Sequence, residues 1–108
     1  MRFDVSIAHE AGCTRVGVIG EPTLGRMLSL IQVLEVDSAS WPRESVLLDL
    51  RGLRAPLDGE ELSRLAAEAA RRLRRMGRIA VLAADAGLRE AEGVRFFDDA
   101  EAARAWLA

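Results

Sequence analysis

Phe3, Val5 and Ile7 alternate with Asp4, Ser6 and Ala8, a period of two that predicts a strand with one buried face. Glu10-Ala11-Gly12 interrupts it, and Val16, Val18 and Ile19 resume it, so residues 2–20 read as an antiparallel hairpin. Gly20-Glu21-Pro22-Thr23 then punctuates the chain and places Pro22 at the first position of a helix. Leu24, Met27, Leu28, Ile31 and Leu34 follow at spacings of three and four, a helical stripe. Residues 37–42 read as a loop, and Val46-Leu47-Leu48-Asp49-Leu50 as a central strand buried on both faces.

The next helix carries the clearest local signals. Asp58 stands as N-cap with Glu61 three residues on, a capping box, and Leu57 and Leu62 flank it as a hydrophobic staple. Leu62, Leu65, Ala66, Ala69, Leu73 and Met76 form its buried stripe, and Gly77 fits a C′ stop. Ile79-Ala80-Val81-Leu82-Ala83 reads as a second buried strand, residues 85–92 as a short helix, and Val94-Arg95-Phe96 as a brief strand near a sheet edge. Asp98 with Glu101 repeats the capping box before a final helix packing through Ala102, Ala103, Trp106 and Leu107.

The order is ββαβαβαβα. Helical crossovers between strands require parallel pairing. The expectation is one α/β domain over 1–108: a mixed, mostly parallel sheet with an N-terminal antiparallel hairpin and about four helices.

Composition narrows the functions. Of 108 residues half are apolar and 30% charged, the balance of a globular domain with a single core. The net charge of −2 argues against general attraction to nucleic acid or an anionic membrane. All 15 basic residues are arginine, which fits a GC-rich genome and removes Schiff-base and P-loop lysine chemistry. No apolar run approaches the ~18 residues of a membrane span. The start lacks a signal peptide's apolar stretch, and a lone Cys13 fits a reducing compartment, so a cytoplasmic location is expected.

Candidate chemistry is sparse. His9 and Cys13 are the single histidine and cysteine and flank the hairpin turn, but no third group completes a nucleophile or a metal set. Asp49 and Asp85 fall near the C-terminal ends of neighbouring strands, where open α/β sheets collect ligands. Without a lysine, Asp49 does not make a phospho-receiver site, and Asp85 serves as a cap. The amides opening the second helix are claimed by the Asp58 carboxylate. Arg64, Arg71, Arg72, Arg74, Arg75 and Arg78 cluster toward that helix's C-terminal end, where the dipole favours cations on a solvated surface. No cofactor is expected. Leu30, Val33 and Val36 lie off the first helix's stripe and, with Trp41, form an apolar surplus that hints at a dimer face, a partner groove or an apolar pocket.

Three stretches resemble the STAS domain (sulfate transporter and anti-sigma-factor antagonist), in its SpoIIAA-like variant with features of SEC14-type lipid-binding domains. They are Val46 to Leu53, Arg78-Ile79-Ala80-Val81-Leu82, and Val94-Arg95-Phe96-Phe97-Asp98-Asp99 running to Trp106-Leu107. The resemblance implies a non-enzymatic interaction module that docks partners at the start of the second helix. It also implies a phospho-switch on a serine in an Asp-Ser-Ser-Gly turn, but Ala55-Pro56-Leu57-Asp58-Gly59-Glu60 offers no hydroxyl there. The segment 84–93 is shorter than in many SpoIIAA-like relatives, which reduces the wall available to enclose a lipid.

The leading expectation is therefore a protein partner or a homodimer contacting Leu30, Val33, Val36, Trp41, Asp58, Gly59 and Glu60, with Glu61 or Arg64 on a polar rim. A carrier of a small apolar ligand, held between the first helix and the sheet, comes second. An enzyme comes third.

Overall fold

The opening alternation folds into β1 (Phe3–His9) and β2 (Thr14–Gly20), paired antiparallel in unbroken register from Phe3↔Gly20 to His9↔Thr14. The chain is seen in a computed structural model that describes residues 3–55, 57–83, 90–91 and 93–108, with Glu90 and Ala91 described by their backbone. β3 (Ser45–Leu53), β4 (Arg78–Leu82), β5 (Glu90–Ala91) and β6 (Val94–Phe97) complete one sheet in the order β1-β2-β3-β4-β6-β5. The pairs β2–β3, β3–β4 and β4–β6 are parallel, and the two end pairs are antiparallel. The expected mixed, mostly parallel sheet with an N-terminal hairpin is the fold.

Three α-helices stand among the described residues: α1 (Leu24–Asp37), α2 (Gly59–Arg72) and α3 (Ala100–Leu107), with a 3-10 turn at Ser38–Ser40. The fourth expected helix, with Asp85 as its cap, lies mostly outside the described residues. Glu90 and Ala91, at its expected end, instead form β5, which becomes the sheet edge and moves β6 one place inward.

Three helix ends differ from expectation. Pro22 precedes the N-cap rather than opening α1, because the Thr23 hydroxyl accepts the Arg26 amide at 3.2 Å. α2 stops at Arg72, not at Gly77. Leu73 and Met76 remain buried, but in the turn beyond the helix, and the Gly77 amide donates to the Glu44 carbonyl at 2.7 Å. Asp99, not Asp98, caps α3, taking the Glu101 amide at 3.2 Å.

Strand alternation sorts the residues onto two faces. On the front, Val16, Val18, Val46, Leu48, Leu50, Ile79, Val81, Val94 and Phe96 meet Met27, Ile31 and Leu34 of α1 and Leu62, Leu65 and Ala69 of α2 in the main core. On the back, Leu47, Ala80 and Leu82 meet Ala103 and Leu107 of α3, with Cys13 closing the cluster. Eight residues of α3 cover only part of that face. The back of β1 and β2 carries mostly small and polar residues, Asp4, Ser6, Ala8, Arg15 and Gly17, with Ile19 exposed among them.

Candidate functional site

The start of α2 is tied by two reciprocal hydrogen bonds. The Asp58 carboxylate accepts the Glu61 amide at 2.8 Å, and the Glu61 carboxylate accepts the Asp58 amide at 3.1 Å, the reciprocal capping box read from the sequence. Asp58 and Glu60 are exposed and Gly59 half-buried, so the turn offers an acidic, ordered surface.

α1 and α2 run in the same direction, since Glu35 near the end of one pairs with Arg72 at the end of the other at 3.0 Å. Gly59, at the opposite end of the 14-residue α2, therefore lies about 20 Å from that pair at 1.5 Å per residue. Val36 sits beside Glu35. The two halves of the expected contact surface thus occupy different parts of the molecule. Leu30 and Trp41 belong to neither half. Both are buried in the main core, and the Trp41 indole donates to Asp37 Oδ2 at 2.8 Å. Their place in the expected contact surface is corrected by this burial. Leu30 turns inward beside Ile31, and the 3-10 turn folds Trp41 back under α1. Val33 and Val36 stay exposed and line the outer side of α1.

The space between α1 and the sheet is occupied by fully buried Met27, Ile31 and Leu34. An apolar ligand at that place would have to displace them. A groove of about 470 Å³ instead runs outside, between α1 and β1, past Phe3, Val5, Arg26, Leu30 and Val33.

On the open back face a second hollow of about 430 Å³ is lined by Asp4, Ser6, Arg15, Ile19, Asp49 and Arg51. Asp49 sits inside β3 rather than at its end, because the strand runs on to Leu53. Its Oδ2 takes Arg15 Nη2 at 2.9 Å and Arg51 Nη2 at 3.0 Å, and its Oδ1 takes the Arg51 amide and Nε, each at 3.1 Å. Burial by itself would raise this carboxyl, but the donors of Arg51 and Arg15 outweigh it and hold it at about 2. The group is an ion-pair brace between β2 and β3, with its lone pairs occupied and no proton to exchange near neutral pH. Among the described residues, Arg15 Nε is buried beside it with no hydrogen-bond partner.

His9 and Cys13 take different partners. His9 Nδ1 meets Thr14 Oγ1 at 2.9 Å, and the ring lies edge-on to Trp41 at 6.3 Å. Cys13 is buried on the back, and burial, then the nearby Glu10 carboxylate, push its thiol up. Among the described residues no three acidic, histidine or cysteine side chains gather to hold a metal. No described helix is long and apolar enough to cross a membrane. Part of the arginine cluster is paired: Arg71 and Arg72 bond Glu68, and Arg78 lies over the Trp106 ring at 5.6 Å.

Neither a protein-family model nor a curated protein sequence matches the chain. Solved structures do match it along nearly its whole length. An anti-sigma factor antagonist from Mycobacterium paratuberculosis superposes with a TM-score of 0.65 at 16% identity, covering 98% of this chain and 94% of that one. An uncharacterized protein with a SpoIIAA-like fold from Shewanella loihica PV-4 superposes with a TM-score of 0.52 at 14% identity over the same shares. The fold is that of anti-sigma factor antagonists, the STAS or SpoIIAA-like fold, in agreement with the resemblance read from the sequence.

Proposed function

We propose that this chain is a non-enzymatic regulatory module, acting in the cytoplasm, that binds a protein partner through the start of α2. The observation that carries the reading is the reciprocal capping box at Asp58 and Glu61, which ties the exposed start of the helix with two hydrogen bonds. Preorganisation lowers the ordering cost of binding. With Asp58 and Glu60 on its surface, the turn suits a partner that presents basic side chains. Segment 55–60 holds no hydroxyl residue, so binding there is constitutive rather than switched by phosphorylation in that turn.

Site-specific photo-crosslinking from position 60 in the native host, with position 43 as control, tests this. A protein captured from position 60 alone is then purified and titrated against wild type and Glu60→Arg. The charge reversal is expected to weaken binding by about tenfold. Equal capture from both positions, or unchanged affinity in the variant, would overturn the reading.

A further inference from the structure

β1 is the first strand of the sheet, so one of its edges has no neighbouring strand among the described residues. It is seven residues long and regular, without a bulge or a proline, and Asp4 near one end is its single charged side chain among the devices that usually guard such an edge. The Glu10 amide donates to the Cys13 carbonyl across the hairpin at 2.8 Å. Antiparallel hydrogen bonding alternates along a strand, so Ala8, Ser6 and Asp4 also direct their backbone groups to β2. The amides and carbonyls of Phe3, Val5, Ile7 and His9 therefore point outward from the sheet.

The same flank gathers exposed apolar side chains. Val5 is 37% exposed and Ile7 40% on β1, and Val33 is 63% and Val36 78% on the outer side of α1. These are four of the five large exposed hydrophobics among the described residues. α1 runs antiparallel to β2 and hence parallel to β1, and Val33 shares a groove with Val5. One wall of the molecule thus combines a row of open backbone groups with an apolar stripe above it.

We propose that this wall is the seat of a second copy of the chain, paired β1 to β1 antiparallel about a two-fold axis at Ser6. That register sets Val5 against the copy's Ile7, Phe3 against its His9, Asp4 against its Ala8 and Ser6 against its Ser6. No like charges meet, the outward groups of the odd-numbered residues bond one another, and the apolar pairs fall on the face beneath Val33 and Val36. The arrangement is isologous, as a closed dimer requires. Seven residues at ~3.4 Å make the wall ~24 Å long, and a helix layer ~10 Å above the sheet, with the ~5 Å half-thickness of each layer added, makes it ~20 Å tall, roughly 500 Å² per copy. That is below the ~800 Å² of a standard interface, so the dimer is reversible. The inference goes beyond the reading above and does not depend on it, since the start of α2 is not in this wall.

Sedimentation across a concentration series, with native mass spectrometry, tests it. Ser6→Arg and Ser6→Asp each place like charges face to face at the axis, where side chains approach most closely. Each variant is expected to stay folded, with a cooperative melting transition, and to raise the dimer dissociation constant about tenfold or more. An equimolar mixture of the two variants is expected to restore dimerisation, because the guanidinium introduced in one copy then faces the carboxylate introduced in the other. Ile7→Pro removes one outward amide without touching the β1–β2 ladder and is expected to weaken the dimer too. A wild type that stays monomeric up to about 500 µM overturns the proposal. So does a dimer indifferent to Ser6→Arg, or a monomer carrying an apolar small molecule in the groove.

Discussion

Arg51 grips Asp49 from two positions further along β3, with Nε 3.1 Å from Oδ1 and Nη2 3.0 Å from Oδ2. Arg15 completes the clasp from β2. The folded carboxyl titrates at about 2 against an ordinary 3.8. A lowered pKa stabilises the fold above the unfolded value, and that contribution is lost as pH falls through the folded one. The shift corresponds to about 2 kcal/mol. In urea unfolding, wild type is expected to lose stability between about pH 4 and 2, and Asp49→Asn to lose about 2 kcal/mol less over that window. At neutral pH the variant is expected to be less stable by about 1–2 kcal/mol, since both arginines, at 35% and 47% exposure, can turn to water.

Asp58→Ala removes the acceptor for the Glu61 amide. A loss of about 1 kcal/mol is expected, with Asp58→Asn much milder because its amide oxygen can still cap. Chemical denaturation of the three proteins checks the order.

Gly52 has no room for a methyl group. A Cβ there would stand 2.4 Å from Ile19 Cγ2 and 3.2 Å from the Val18 carbonyl oxygen. Gly52→Ala is expected to cost about 1–3 kcal/mol. Adding Ile19→Ala should recover a good part of that, because the nearest clashing atom is then gone and Ile19 is largely exposed. A double-mutant cycle in which the two changes simply add would refute this account.

Cys13 is buried, and both its burial and the Glu10 carboxylate keep it a neutral thiol. Labelling by a disulfide reagent is expected to run about 100-fold slower in the folded protein than in urea, limited by opening of the structure. Rapid labelling of the native protein would show an exposed thiolate instead.

What the sequence made legible was local. The cap at Asp58, the β1–β2 hairpin and the buried runs of β3 and β4 each rest on residues within a few positions of one another. Leu30 and Trp41 escaped this reading because a helical stripe gives the angle of a side chain but not the height of its neighbours. The sheet beneath α1 and the fold-back at Ser38–Ser40 bury both. The partnership of Asp49 with Arg15 spans 34 residues and depends on β2 lying beside β3, which no periodicity states. Arg51 was nearer to hand, since residues two apart on a strand share a face. The exposed wall of β1 and α1 needed both the strand order and the helix direction, although Val33 and Val36 already stand out as surplus in the sequence.

The strand order also bears on how the molecule assembles. β1–β2 and β5–β6 pair residues close together in sequence, whereas β2–β3, β3–β4 and β4–β6 join only after a crossover has been spanned. Loop closure must be met before those central ladders return any gain, so the sheet's middle, its most buried part, is the last to be rewarded. The two hairpins are ready-made margins. Between them the refolding chain must close its crossovers, with the margin at β1 complete on one side and open on the other throughout that search.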